Sequence, residues 1–440
     1  MKYLVPIFRL SSLLFIGSAM LFMSSCTDTC EEVYTYTTME PIYLSYEDLR
    51  NQSIETTAAK NLQNPGKIYF KSPYILINER NKGIHIIDNS NPAVPNNVGF
   101  IEIAGNIDMA VKNNTLYADS YTDLLAIDIT DPTTPILQKR VNDAFAENFS
   151  INEAEGGILI EDEAVEHIET YDCDEEPPIQ PNQNGGVFID DVFWGPEVDF
   201  IDVGGVPVSD NSSNSGSLSP SGVGGSMARF TLLNNHLYIV TPNSLQAYDI
   251  ANTASPQNVN TIYIGWNVET IFPFGQNLLI GTQNGMLIYD VSMANEPQYV
   301  SEFAHVTACD PVVAEGDHAF VTLRDGNNCW QTTNRLDVLD ISNMESPELL
   351  TSYDMFNPHG LGIDNGTLFI CDGSDGLKIY DATDVYEITS NQLAHYQNIH
   401  AFDVIPFNNL LLTIGEDGFY QYNYSDLQNI ELLSTIPVVK

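Results

Sequence analysis

The chain has 440 residues, with 59 Asp or Glu against 16 Lys or Arg, a formal net charge of −43. Gripping a phosphate backbone depends on Lys and Arg neutralising charge, so a chain this poor in bases is not built for nucleic acid. The acidity suits solubility in a salty exterior, or binding of calcium or another divalent cation by acidic loops, although no stretch has the spacing of an EF-hand loop.

The first 25 residues read as a signal peptide rather than as part of the fold. Lys2 and Arg9 form a positive start, and residues 10–23 are apolar but too short to span a bilayer. The segment ends Met23-Ser24-Ser25-Cys26, which resembles a bacterial lipobox with methionine where leucine is usual. That resemblance implies a diacylglyceryl group on Cys26, cleavage before it and acylation of the new amino terminus. Several acyl chains give stable anchoring where one is marginal. The expected address is the outer membrane, lipid-anchored on its periplasmic or cell-surface face. Asp28, Glu31 and Glu32 resemble the acidic tags that send some lipoproteins outward. Residues 26–66 are then an anchor linker and N-terminal extension.

From there the chain repeats. Seven runs of alternating apolar residues end on Asp88, Asp128, Asp249, Asp290, Asp340, Asp381 and Asn423. Four of the six spacings are about 40–42 residues, the length of a four-stranded propeller blade. Within one copy, residues 361–363, 367–371 and 377–381 are strands, separated by turns rich in Asp, Asn and Gly that supply positive φ. A Pro-containing connection such as 129–135 or 341–347 then leads to an outer edge strand, because proline fits poorly inside a sheet. One such sheet cannot bury both faces alone, but a ring of them can. The fold class is all-β: a seven-bladed β-propeller of four-stranded blades. Blades one and two occupy 67–141 and blades three to seven 226–440.

Two spacings break the period. The interval ending at Asp340 is longer by roughly one hairpin, at 324–334. The interval ending at Asp249 holds an acidic insertion at 142–225, rich in Glu, Asp, Asn, Ser, Gly and Pro. It reads as a long loop with a hairpin, with strands at 157–161 and 186–192 and a disordered tail at 208–225.

The motif at Ile84-His85-Ile86-Ile87-Asp88 and Leu336-Asp337-Val338-Leu339-Asp340 resembles that of the LVIVD-repeat propellers, over roughly residues 67–438 without the insertion. The resemblance is specific for fold and poor for function, since members are mostly uncharacterised secreted or lipid-anchored proteins. Gln246 and Gln421 depart from the apolar pattern and put the regularity of blades three and seven in question.

An oxidising compartment favours disulfides. Cys309 and Cys329 flank one hairpin and are expected to pair, stapling the long loop of blade five. Cys30, Cys173 and Cys371 leave an odd number, and Cys371, at the end of a buried strand, reads as an inert core residue.

No nucleophile elbow, metalloprotease helix or phosphate loop is present, so candidate chemistry is positional. In a propeller the first strand of each blade lines the central channel. Aligned on their second strands, the repeats place Asp108, Arg229, Glu269, Asp310, His359, His400 and Asp403 at or near the entry to that first strand, at the channel mouth. The carboxylates could hold a cation or cationic ligand, with Arg229 as countercharge or as a grip on an anionic group. His359 and His400 could ligate metal or act as acid and base, but nothing fixes a nucleophile. Tyr117, Tyr121, Tyr238, Tyr289 and Tyr380 read as strand residues packing between blades. Trp194, Trp266 and Trp330 fall at loops or strand ends, where a sugar or a protein could stack. The leading reading is a monomeric binding or protein-interaction scaffold, needing no cofactor, with an envelope protein or glycan as partner. The alternatives are a metal-assisted hydrolase or lyase at the channel mouth and a carbohydrate-binding surface lipoprotein.

Overall fold

The computed structural model describes residues 31–154, 156–172, 223–304, 311–324 and 334–440. The signal segment, Cys26, Cys30, Cys173, Cys309, Cys329, Asp310, Trp194, Trp330 and the strand expected at 186–192 lie outside the described residues. Two compact units emerge. The smaller takes residues 31–42 and 161–172 and the larger the rest of the described chain.

In the larger unit seven sheets follow one another, at 65–102, 109–141, 230–263, 268–304, 312–354, 361–396 and 401–437. Each runs its four strands up and down in chain order, and all pairs are antiparallel. Two short strands extend sheet one to six: Thr56–Thr57 on its outer edge and Val223–Gly224 on its inner edge. The arrangement is propeller-like.

The recurring acidic residue at the end of the third strand has a local cause. In all seven sheets its side-chain oxygen accepts the backbone N–H two residues on, at 2.7–3.0 Å, as in Asp88 to Ser90 and Asn423 to Ser425. This Asx turn redirects the chain toward the outer strand. Each outer strand then slips register by one residue against the third. Such a bulge twists the exposed edge and blunts it against pairing with other chains.

Neighbouring sheets bury their faces against each other. Apolar clusters join sheets one, two and three, then three and four, then four, five and six, then six and seven. A last cluster packs Ile68, Ile75, Ile77 and Ile87 of sheet one on Ile405, Leu412, Ile414 and Phe419 of sheet seven. A hydroxyl of each sheet also donates to a carbonyl in the turn before the next sheet's outer strand. From sheet two these are Tyr117 to Thr253, Tyr238 to Ala294, Ser301 to Met344, Tyr353 to Val385 and Tyr396 to Ile430. Ser434 reaches from sheet seven to Pro92, and Thr56, added to sheet one, reaches Pro132.

Two expectations need correction. Tyr121 is not a strand residue: it sits in the turn between two strands at φ 49 and stacks edge-on against Phe149. The end of the insertion is not loose, since Gly224 and Gly225 are buried and Val223 and Gly224 pair with Phe70 and Tyr69. The linker 26–66 is structured from Glu31, with a strand at Glu31–Leu44 and a helix at Tyr46–Asn51 capped by Ser45. Arg50 of that helix grips Asp123 and Asp143, on and just beyond sheet two.

In the smaller unit, residues of the strand Glu31–Leu44 run beside residues of the strand Gly157–Asp172. His167 stacks on Tyr36 with ring centroids 5.0 Å apart and lies 2.7 Å from Thr38 Oγ1. Within the larger unit, Ile151–Asn152 pairs with Gly157 and Ile158 at the start of the second long strand.

Candidate functional site

The predicted residues of the larger unit gather in two places, linked by the short segment 223–229 that returns from the insertion. At the first, Asp108 at the start of sheet two is buried, and Lys67 Nζ of sheet one lies 2.8 Å from its Oδ2. The same oxygen accepts the backbone N–H of Arg229 at 2.6 Å. Arg229 therefore does approach Asp108, but through its main chain. Behind them Asp119, fully buried, accepts N–H bonds from Ile107, Asp108 and the Asn106 side chain at 2.8–3.0 Å. Burial pushes its carboxyl up to about 6, with the charge of Asp108 adding, against the lowering effect of those N–H groups and of Lys67.

At the second place, Asp403 of sheet seven is buried and accepts the backbone N–H of Ser226 through Oδ1 at 3.2 Å. Ser226 Oγ in turn accepts the N–H of Leu361 in sheet six at 2.7 Å. Glycines at 225 and 360 are required here: a Cβ would stand 2.0 Å from Asp403 Oδ2 or 2.5 Å from its Oδ1. His359 and His400 flank this point, with rings 6.4 Å apart and Phe402 against both. His359 is buried, and Arg324 Nη1 lies 3.0 Å from its Nδ1. Burial, helped by the positive charge of Arg324, pushes the His359 imidazole well below its ordinary pKa. It is neutral at physiological pH and takes a hydrogen bond from the guanidinium. His400 is half-exposed and pairs with Glu416 at 2.9 Å.

Segment 223–229 thus leans on sheet one through Val223–Gly224, on sheets six and seven through Ser226, and on sheet two through Arg229. Ala228 also accepts the N–H of Ile271 in sheet four at 2.9 Å. Residues of five sheets thus bind this one short segment of the chain.

Glu269 is half-buried, at a register slip in the first strand of sheet four. Among the described residues no three His, Cys, Asp or Glu side chains form a group that could hold a metal. Cys371 is a buried free thiol, pushed up by burial and by the carboxylates of Asp403 and Asp372, so it is a poor nucleophile. Lys67, Asp119, Ser226 and Arg324 are partners the sequence does not single out. Their one legible signal is Gly224-Gly225 before Ser226, hidden in a tail that reads as low complexity.

The end of the larger unit that carries the connections between sheets presents aromatic side chains to solvent. Trp266 is 71% exposed, Tyr263 60% and Phe356 59%. Trp266 meets Tyr263 edge-to-face at 5.9 Å.

Three solved structures match the chain at low similarity. Sqt1 of Saccharomyces cerevisiae is 8% identical with a TM-score of 0.49, over 88% of this chain and 91% of that one. BamB of Moraxella catarrhalis is 9% identical with a TM-score of 0.44, over 88% and 97%. PorZ, an essential surface component of the type-IX secretion system of Porphyromonas gingivalis, is 12% identical with a TM-score of 0.48, over 88% of this chain and 40% of that one. No curated protein matches the chain at a significant level. The LVIVD repeat model matches residues 68–102, 106–143 and 308–355, which correspond to sheets one, two and five. That repeat in three of the seven consecutive sheets is consistent with an LVIVD-repeat family.

Proposed function

We propose that this chain is a closed seven-bladed propeller, interrupted between blades two and three by its acidic insertion, and that it serves as a binding or protein-interaction scaffold. Closure is supported by the apolar cluster and hydrogen bonds that return from sheet seven to sheet one. One observation carries the scaffold reading. Asp108 and Asp403, the carboxylates best placed for ligand chemistry in the ring, are already bound by segment 223–229. What remains for a partner is the outside, where Trp266, Tyr263 and Phe356 offer rigid apolar area that suits protein contact. A lipid on Cys26 would hold this surface at the outer membrane, facing envelope proteins.

The test is a photo-crosslinking amino acid at position 266 or 356 in cells, with a control on an outer strand. A discrete adduct with one envelope protein from positions 266 and 356, absent from the control, is the expected result. Metal analysis of the purified protein and thermal shift with EDTA form the second arm. A stoichiometric ion whose removal lowers Tm would move the reading to metal-assisted chemistry.

A further inference from the structure

The seven sheets are internal controls for one another, and sheet six departs from its siblings at two neighbouring positions. In every sheet the residue after the Asx-turn acid donates its N–H to the second residue of the turn between strands one and two. The donors are Asn89, Ile129, Ile250, Val291, Ile341, Ala382 and Tyr424, so sheet six has the smallest side chain. The acceptors are Pro73, Asn114, Asn235, Gln276, Asp317, Gly366 and Asn409, so sheet six has no side chain there. Between sheets five and six these two truncations coincide with a cavity of about 310 Å³, half open to solvent. Phe320, Ile363 and Ala382 form its apolar floor, with Glu315, His318 and Thr383 at its rim. The equivalent hollow between sheets one and two holds about 150 Å³, with Ile129 and Asn114 in place.

Charge separates the two hollows as well. The last residue of the first strand is Lys71 in one and Glu315 in the other. Glu315 accepts the N–H groups of Asn365 and Gly366 at 2.8 and 2.7 Å, which fixes its carboxylate at the rim. Asp317, Asp340, Asp364 and Asp381 stand on the adjoining turns and strand ends, and His318 is the one basic side chain lining the cavity. An apolar floor under a fixed carboxylate, in a field of like charge, complements a flat apolar body bearing a cation. We propose that the hollow between sheets five and six is a binding site for a small organic amine with one aromatic or aliphatic ring system. The site lies at the opposite end of the sheets from Trp266 and stands independently of the scaffold reading.

Calorimetry on the full-length protein in detergent tests this with three probes sharing one body: tryptamine, tryptophol and indole-3-acetate. Saturable binding of tryptamine is expected, with the acid at least about tenfold weaker and the alcohol between them. Ala382→Ile installs the residue that sheets two, three and five carry, and should weaken tryptamine at least about tenfold. Ala382→Val, as in sheet four, is the second variant should the first not fold, with native Tm as the criterion. No saturable binding of tryptamine, equal binding of amine and acid, or unchanged binding in a folded filled variant would each overturn the proposal.

Discussion

Asp119 shows how one buried carboxylate makes stability depend on pH. It takes three N–H bonds, yet burial beside Asp108 raises its pKa from 3.8 to about 6. The folded state therefore binds a proton more tightly than the unfolded chain does. Its contribution is fully present below about pH 4 and is lost as pH rises through about 6, a loss of roughly 3 kcal/mol. Asp119→Asn should remove this component, so that denaturation midpoints measured from pH 4 to 7 fall less steeply than in the wild type. At Gly225 the constraint is steric, since any Cβ collides with Asp403. Gly225→Ala is expected to cost roughly 2–4 kcal/mol in urea denaturation. Combined with Asp403→Ala, the loss should be clearly less than the sum of the two, because the collision partner is gone. Strict additivity would show that segment 223–229 does not rest on Asp403.

Among the strands, the two departures from the apolar motif turn out to be joints. Gln421, fully buried in sheet seven, exchanges two amide hydrogen bonds with Asn89 of sheet one, at 2.8 and 2.9 Å. It also reaches Pro92 O and Ser434. Gln246 of sheet three donates to Ala144 O, at the start of the insertion, and accepts from Tyr248. A polar side chain in a buried strand survives only where a partner meets it. Gln421→Ala would strand the Asn89 amide in the core, at about 1–3 kcal/mol by chemical denaturation. Gln246→Ala should cost less, because it breaks two hydrogen bonds, to the half-buried Ala144 carbonyl and from Tyr248, where Gln421→Ala breaks four. Equal costs would contradict a special role for the joint between the first and last sheets.

At the scale of the molecule, the last residues of the chain meet the segment that leads into sheet one. Leu62 and Val438 form a parallel bridge, and Val439 donates to Leu62 O at 2.8 Å. In the closed ring proposed above, no wedge has a free face only while every wedge is present, so damage to one joint should spread. Deleting residues 425–440 removes the outer strand of sheet seven, the Ser434 bond to Pro92 and this bridge. Rapid proteolysis across sheets six, seven and one, rather than fraying of the last sheet alone, is the expected outcome. The amino-terminal anchor gives a separate prediction. Cys26→Ser should abolish palmitate labelling and shift the protein from the membrane to the soluble fraction, while retention in the membrane would exclude lipid at that residue.

What could be read in the residues was whatever repeats or acts locally. The acidic residue closing each third strand, the Asn and Gly turns and the alternation of apolar residues recur at a fixed period, and each reports its own sheet. They define an all-β repeat chain before any coordinates are known. Pairings between distant segments leave no such trace. Nothing in Gly224-Gly225-Ser226 announces that it will lie among three sheets, because its partners Asp403, Leu361 and Tyr69 are more than a hundred residues away. Gln421 looks like an irregularity until Asn89 is placed beside it, and Ala382 looks unremarkable until its six siblings are superposed. Local backbone preference is written along the chain, whereas the occupation of buried polar groups is decided only when the sheets close on one another.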